Sequence, residues 1–180
     1  MIATVKNVKT FHGHDGGCYE ASIYIDGKKV GGVTENGWGG GLEYHFASKT
    51  HEASFKAWAD EQPLQTGDEV YAEYIGIGVG EEESAKKRDE VNAAGGRKVD
   101  ADILVSELVN KALENKQYKR WCKKDVCFRL KGDTTGEYRT LRNCANDLAA
   151  AKIHIDKKFG NKVEEILNER LIKEGVLQPQ

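Results

Sequence analysis

The sequence predicts an α+β protein: an N-terminal antiparallel β-meander with packed helices, then a helix–β-hairpin–helix segment. Three observations carry that expectation. Over residues 2–46, β-branched and aromatic residues alternate with polar ones between glycine-rich turns. The apolar period then changes to i, i+3, i+4 at Phe55, Trp58 and Ala59, and again from Ile103 to Leu113. Between these helical patterns, residues 81–99 carry almost no large apolar side chain. The expected organisation is a sheet with one short helix over 1–80, a charged linker or loop over 81–99, and the helix–hairpin–helix segment over 100–180. The three are expected to form one compact unit.

The elements follow in order. Residues 2–11 form a first strand, and His12 to Gly17 a loop. Cys18 to Ile25 and Lys28 to Thr34 are two strands joined by Asp26-Gly27, a pair that tolerates the left-handed backbone a tight hairpin requires. Glu35 to Gly41 makes a second turn, and Leu42 to Phe46 a fourth strand. Residues 50–61 form a helix that stops before Pro63. Glu69 to Ile77 (EVYAEYIGI) is expected to be a further strand, weakened at its end by Gly76, Gly78 and Gly80. Residues 81–98 are either a solvated helix or a mobile loop. The strongest helix begins at Asp100 or Asp102 and carries the stripe Ile103, Leu104, Leu108, Val109 and Leu113 to about Lys116 or Trp121. Val126 to Lys131 and Glu137 to Leu141 form a hairpin. Asp147 caps a helix that ends at Gly160, and Val163, Ile166, Leu167 and Leu171 define a last one, ended by Gly175.

Composition excludes several classes. The 180 residues suit one domain, or one domain with a helical appendage. With 31% charged residues and a mean hydropathy of -0.62, the chain reads as very soluble. MIATVKNVKTF has no apolar signal-peptide region, and no apolar run approaches a membrane span. Four scattered cysteines, Cys18, Cys122, Cys127 and Cys144, then read as reduced thiols in a cytoplasm.

The richest chemistry lies between Lys116 and Arg142. Nine basic residues against three acidic ones give a local charge of +6, in a chain whose formal total is -2. Aromatic residues are interleaved with that charge, a combination that neutralises phosphates and stacks on bases. The candidate ligand-binding residues are Lys119, Arg120, Trp121, Lys123, Lys124, Arg129, Lys131, Tyr138, Arg139 and Arg142, with Trp38 from the Gly-rich turn. Strand alternation puts Phe128 and Leu130 in the core and leaves Arg129, Lys131 and Arg139 as an outward face. The plainer account is a solvated sheet face, with Tyr118 and Trp121 packed between helix and sheet.

Other constellations are weaker. Glu35-Asn36-Gly37-Trp38-Gly39-Gly40-Gly41 fits neither dinucleotide- nor P-loop spacing, and strands rather than a helix flank it. Trp38 is either an exposed contact or a residue folded over the sheet edge. His12, His14 and His45, with Asp15 and Cys18, are weak metal-ligand candidates without CxxC or HExxH spacing. Of Cys122 and Cys127, one is expected to be buried and the other half-exposed. Glu43, His45 and Asp15 make an acid–base group only if the meander gathers them. No catalytic residue and no cofactor is assigned.

The Asp26-Gly27 hairpin, the charged middle, FRLKGDTTGEYRTLR at 128–142 and FGNKVEEILNERL at 159–171 resemble small uncharacterised proteins of tailed bacteriophages. The likeness is closest over residues 100–171 and offers no catalytic residue to carry over. It implies a non-catalytic binding protein, in the host cytoplasm if phage-encoded, that counteracts a host defence system. Its partner would be an anionic ligand, a nucleotide or nucleic acid, on the basic hairpin. The alternatives are an inhibitor docking on a host protein through the Gly/Trp loop, or an enzyme acting on nucleotides or nucleic acids. A homo-oligomer suits all three, and no membrane partner is expected.

Overall fold

The computed structural model describes residues 1–13 and 16–178. The chain is α+β and forms two compact units, Met1–Ala112 and Leu113–Gln180.

The first unit opens with the expected meander. Strands β1 (Ala3–Gly13), β2 (Gly16–Ile25), β3 (Lys28–Glu35) and β4 (Glu43–Phe46) lie side by side in that order, each antiparallel to the next. At the β2–β3 turn Asp26 and Gly27 both take positive φ, 47° and 78°, matching the twist of the flanking strands. Asp26 also ties down the chain start, its carboxylate accepting the Ile2 amide at 2.8 Å. Alternation buries Ala3, Val5, Ala21, Ile23, Ile25, Val30 and Val33. Helix α1 (Lys49–Asp60) packs on the sheet with Phe55, Trp58 and Ala59 buried, and Ser48 caps it by accepting the His51 amide.

The stretch expected to be a strand at Glu69–Ile77 is instead helix α2 (Gly67–Gly76). The reason is local. Thr66 and Glu69 form a reciprocal capping box, each side chain satisfying the other's backbone N–H, and this nucleates the helix despite the β-rich composition. Of the two alternatives for 81–98, the helical one is realised as α3 (Glu81–Ala93), which packs against α2. The approach is close because residue 67 is glycine: a Cβ there would sit 2.5 Å from the Arg88 carbonyl oxygen. Helix α4 (Ala101–Cys122) begins in this unit, burying Val105 and Val109, and continues into the second.

The second unit holds a three-stranded antiparallel sheet ordered β6–β5–β7: β5 (Val126–Leu130), β6 (Arg139–Leu141) and β7 (Val163–Ile166). Between β6 and β7 runs α5 (Leu148–Phe159), capped by Asp147 on the Ala150 amide at 2.9 Å and ended by Gly160 at φ 53°. Two expectations need correction. The returning hairpin strand is only Arg139–Leu141, and the last helix does not start at Val163. Residues 163–166 pair with β5 (Phe128 opposite Ile166, Arg129 opposite Glu165), and helix α6 (Leu167–Lys173) follows. Without this partner one backbone edge of β5 would be buried and unpaired, so β-branched Val163 and Ile166 go to the ladder.

The two faces of this sheet are both covered. Val126, Phe128, Leu130 and Ile166 pack with Ala151 and Ile155 of α5. Cys127, on the opposite face, packs with Tyr118 and Cys122 of α4 and Leu167 and Leu171 of α6.

Candidate ligand-binding surface

The double cover of the second sheet changes the fate of the basic hairpin. Phe128 and Leu130 are buried as expected, but Arg129 does not face water. It lies on the face covered by α4 and α6, with its side chain only 16% exposed. Its guanidinium stands 3.3 Å from Glu164 and 3.7 Å from Glu165, and over the Tyr138 ring. Glu165 is the hub of this layer. It also accepts the Tyr138 hydroxyl at 2.8 Å and meets Arg170 at 3.2 Å, while Arg170 lies over Tyr118. Burial first, then the Glu165 hydrogen bond, pushes the Tyr138 phenol up, so it serves as a donor. Arg139 stays on the surface but is engaged: it grips Asp133 with two hydrogen bonds, of 2.8 and 2.7 Å. That pairing holds the Asp133 carboxyl down at about 2. Two of the three residues expected to form the outward cationic face are therefore neutralised.

The uncompensated charge lies elsewhere in the same segment. Lys116, Lys119 and Arg120 occupy i, i+3 and i+4 near the end of α4, opposite the buried Tyr118–Cys122 edge, and Lys123 and Lys124 follow in the next turn. All five are exposed, and among the described residues none has a carboxylate within ion-pair reach. Exposed Lys131 and Arg142 likewise lack one. Cations at a helix C-terminus also offset its exposed carbonyls, a structural role that stabilises the last turn by roughly 0.3–1 kcal/mol per charge. Trp121 borders this stripe, 36% exposed, with its inner side on Tyr118 at 5.6 Å between ring centroids. It is held in place from within while one side remains open.

Asn168, absent from the expected site, positions this surface. It is 4% exposed, and its side chain accepts the Cys127 amide at 2.9 Å. It donates to the carbonyls of Asp125 (3.0 Å) and Cys122 (3.4 Å), so the turn bearing Lys123 and Lys124 is pinned at both ends. The available signal was a lone amide within the apolar run Ile166-Leu167…Leu171.

The remaining candidates disperse. Trp38 belongs to the first unit and is 72% exposed, in a turn where Gly37 and Gly39 take φ of 73° and 71°. The turn is braced: the Trp38 amide donates to Asn36, whose own amide group donates to Glu43. His12 on β1 and His45 on β4 sit on opposite edge strands, and His14 and Asp15 lie outside the described residues. Among the described residues no group of three or more His, Cys, Asp and Glu side chains could hold a metal ion. Cys122 and Cys127 are both buried, correcting the expectation of one half-exposed thiol, because the turn between them folds back under α6. The hydrogen bond to Cys127, and then burial, push the Cys122 thiol up. No helix among the described residues is long and apolar enough to cross a membrane.

Comparison of the chain with protein-family models, with curated proteins and with solved structures finds no match.

Proposed function

We propose that this is a non-catalytic binding protein whose second unit holds a phosphate-bearing ligand, a nucleotide or a short single strand, on the basic end of α4. The observation that carries this reading is the exposed run Lys116, Lys119, Arg120, Lys123 and Lys124, unpaired by any carboxylate among the described residues, beside the half-open Trp121. Surface cations usually gather carboxylates when these are near. A set left without them presents a field suited to phosphate, and a supported indole offers a stacking face for a base. The phage-like style of residues 128–142 and 159–171 supplies the setting, interference with a host defence system that uses nucleotides or nucleic acid.

The test is fluorescence anisotropy with a labelled single-stranded oligonucleotide and a labelled nucleotide over a range of salt. Affinity for the strand should fall with log salt by roughly 0.7 per phosphate engaged. Combined Lys119→Ala, Arg120→Ala and Lys123→Ala should weaken it at least tenfold, about 1.4 kcal/mol, whereas Arg139→Ala, already paired with Asp133, should change it little. Binding that ignores salt, or that survives the triple substitution, rejects the proposal.

One observation favours a second reading, an inhibitor docking on a host protein through the first unit. Trp38 is the most exposed of the large aromatic side chains and sits on a braced turn. An anchor of that kind loses about 2 kcal/mol or more on truncation. Trp38→Ala would then abolish the complex while changes on α4 leave it intact.

A further inference from the structure

The first unit contains a cavity of about 960 Å³ beside the edge strand β4, lined by β4, α1 and residues 98–101. None of its lining residues belongs to the basic end of α4 or to the Trp38 turn. Its wall is an aromatic ladder. Tyr44 and Phe46 stand parallel on β4 with centroids 5.8 Å apart, and Phe55 of α1 closes against both at 5.1 and 5.3 Å. The wall is fixed before any ligand arrives: the Tyr44 hydroxyl donates to Asp102 at 2.8 Å, and the other oxygen of Asp102 takes the Leu42 amide at 2.8 Å. Ala59, Val99 and Ala101 complete the apolar lining.

The mouth carries three lysines and three carboxylates, but they are not equivalent. Lys56 is held by Glu52 and Lys98 by Asp60, and Asp100 is turned onto the Asp102 amide at the start of α4. Lys49 alone of the three lysines makes no ion pair within 4.0 Å among the described residues, although its charge is felt by Glu52, which Lys56 holds. An apolar aromatic slot with one ammonium outside any close ion pair at its mouth recognises a flat apolar body bearing one negative charge.

We propose that this cavity is a second ligand site, for an amphipathic aromatic monoanion such as an aryl carboxylate or sulfonate, whose rings lie on Tyr44, Phe46 and Phe55 and whose charge meets Lys49. The probe is anilinonaphthalene sulfonate, titrated into the labelled full chain and followed by amide chemical shifts. Phenylnaphthylamine, the same rings without the sulfonate, is the comparison. Shifts should concentrate at Tyr44, Phe46, Lys49, Phe55 and Val99, with the sulfonate binding tighter than the neutral compound. Lys49→Glu should weaken the sulfonate about tenfold, since an attraction is replaced by a repulsion, and Lys49→Arg should retain it. A glutamate at the first helical position suits the helix dipole, so the variant keeps its fold. Shifts centred elsewhere, equal affinity for the two compounds, or indifference to Lys49→Glu would each overturn the proposal.

Discussion

Replacing Asn168 by alanine should destabilise the second unit by about 3 kcal/mol and disorder the turn that carries Lys123 and Lys124. The magnitude follows from the partners lost. The Cys127 amide belongs to a residue only 1% exposed, so without the 2.9 Å bond to Asn168 it is left unpaired where water does not reach. An orphaned buried donor costs about 1–3 kcal/mol. The carbonyls of Cys122 and Asp125 lose one donor each. Asp125 is half-buried and its oxygen can find water, so that loss adds less, on the order of 0.5–1 kcal/mol. Urea unfolding followed by far-ultraviolet circular dichroism measures the change. Hydrogen exchange at Cys127 should accelerate in the same variant. A loss below about 1 kcal/mol, with Cys127 exchange unchanged, would refute the claim that Asn168 pins this turn.

Two further outcomes follow from the geometry. Pairing with Arg139 lowers the Asp133 carboxyl in the folded state to about 2, below its unfolded value, so its stabilisation of the hairpin is complete at neutral pH and disappears as pH falls toward about 2. A carboxyl-carbon titration by NMR should show that low midpoint, and Arg139→Ala should move it up toward the ordinary aspartate range; an unmoved midpoint would dismiss the pairing as its cause. Gly67→Ala should destabilise the α2–α3 pair by about 1–3 kcal/mol, because the new methyl would meet the Arg88 carbonyl at 2.5 Å and Asn92 at 2.3 Å. A neutral or raised melting temperature would show that the two helices can separate freely.

Much of the fold was legible where local chemistry and burial agree. The meander, the Asp26-Gly27 turn, α1, and the Asp147 and Gly160 bounds of α5 could all be read from short-range signals. Two misreadings run in opposite directions: the strand expected at 69–77 disregards its flank, and the helix expected from Val163 disregards a strand partner. At 69–77 the Thr66–Glu69 box outweighed Val70, Tyr71 and Ile75. At 163–166 the helical spacing of Val163, Ile166 and Leu167 gave way to a strand, because β5 required a neighbour.

The candidate surface shows the division most clearly. By itself the sequence determined that positive charge concentrates between Lys116 and Arg142 and that aromatic rings accompany it, since composition does not depend on folding. Which of those charges remain available was decided by the tertiary structure. Alternation along β5 assigns Arg129 to water only if one face of the sheet is solvated. Here α4 and α6 cover that face, and a guanidinium placed beneath them must be paired, so Glu164 and Glu165 neutralise it. The pairing of Arg139 with Asp133 is likewise set by the closure of the hairpin. What remains is the end of α4, where helical spacing keeps Lys116, Lys119 and Arg120 together on the side away from the core.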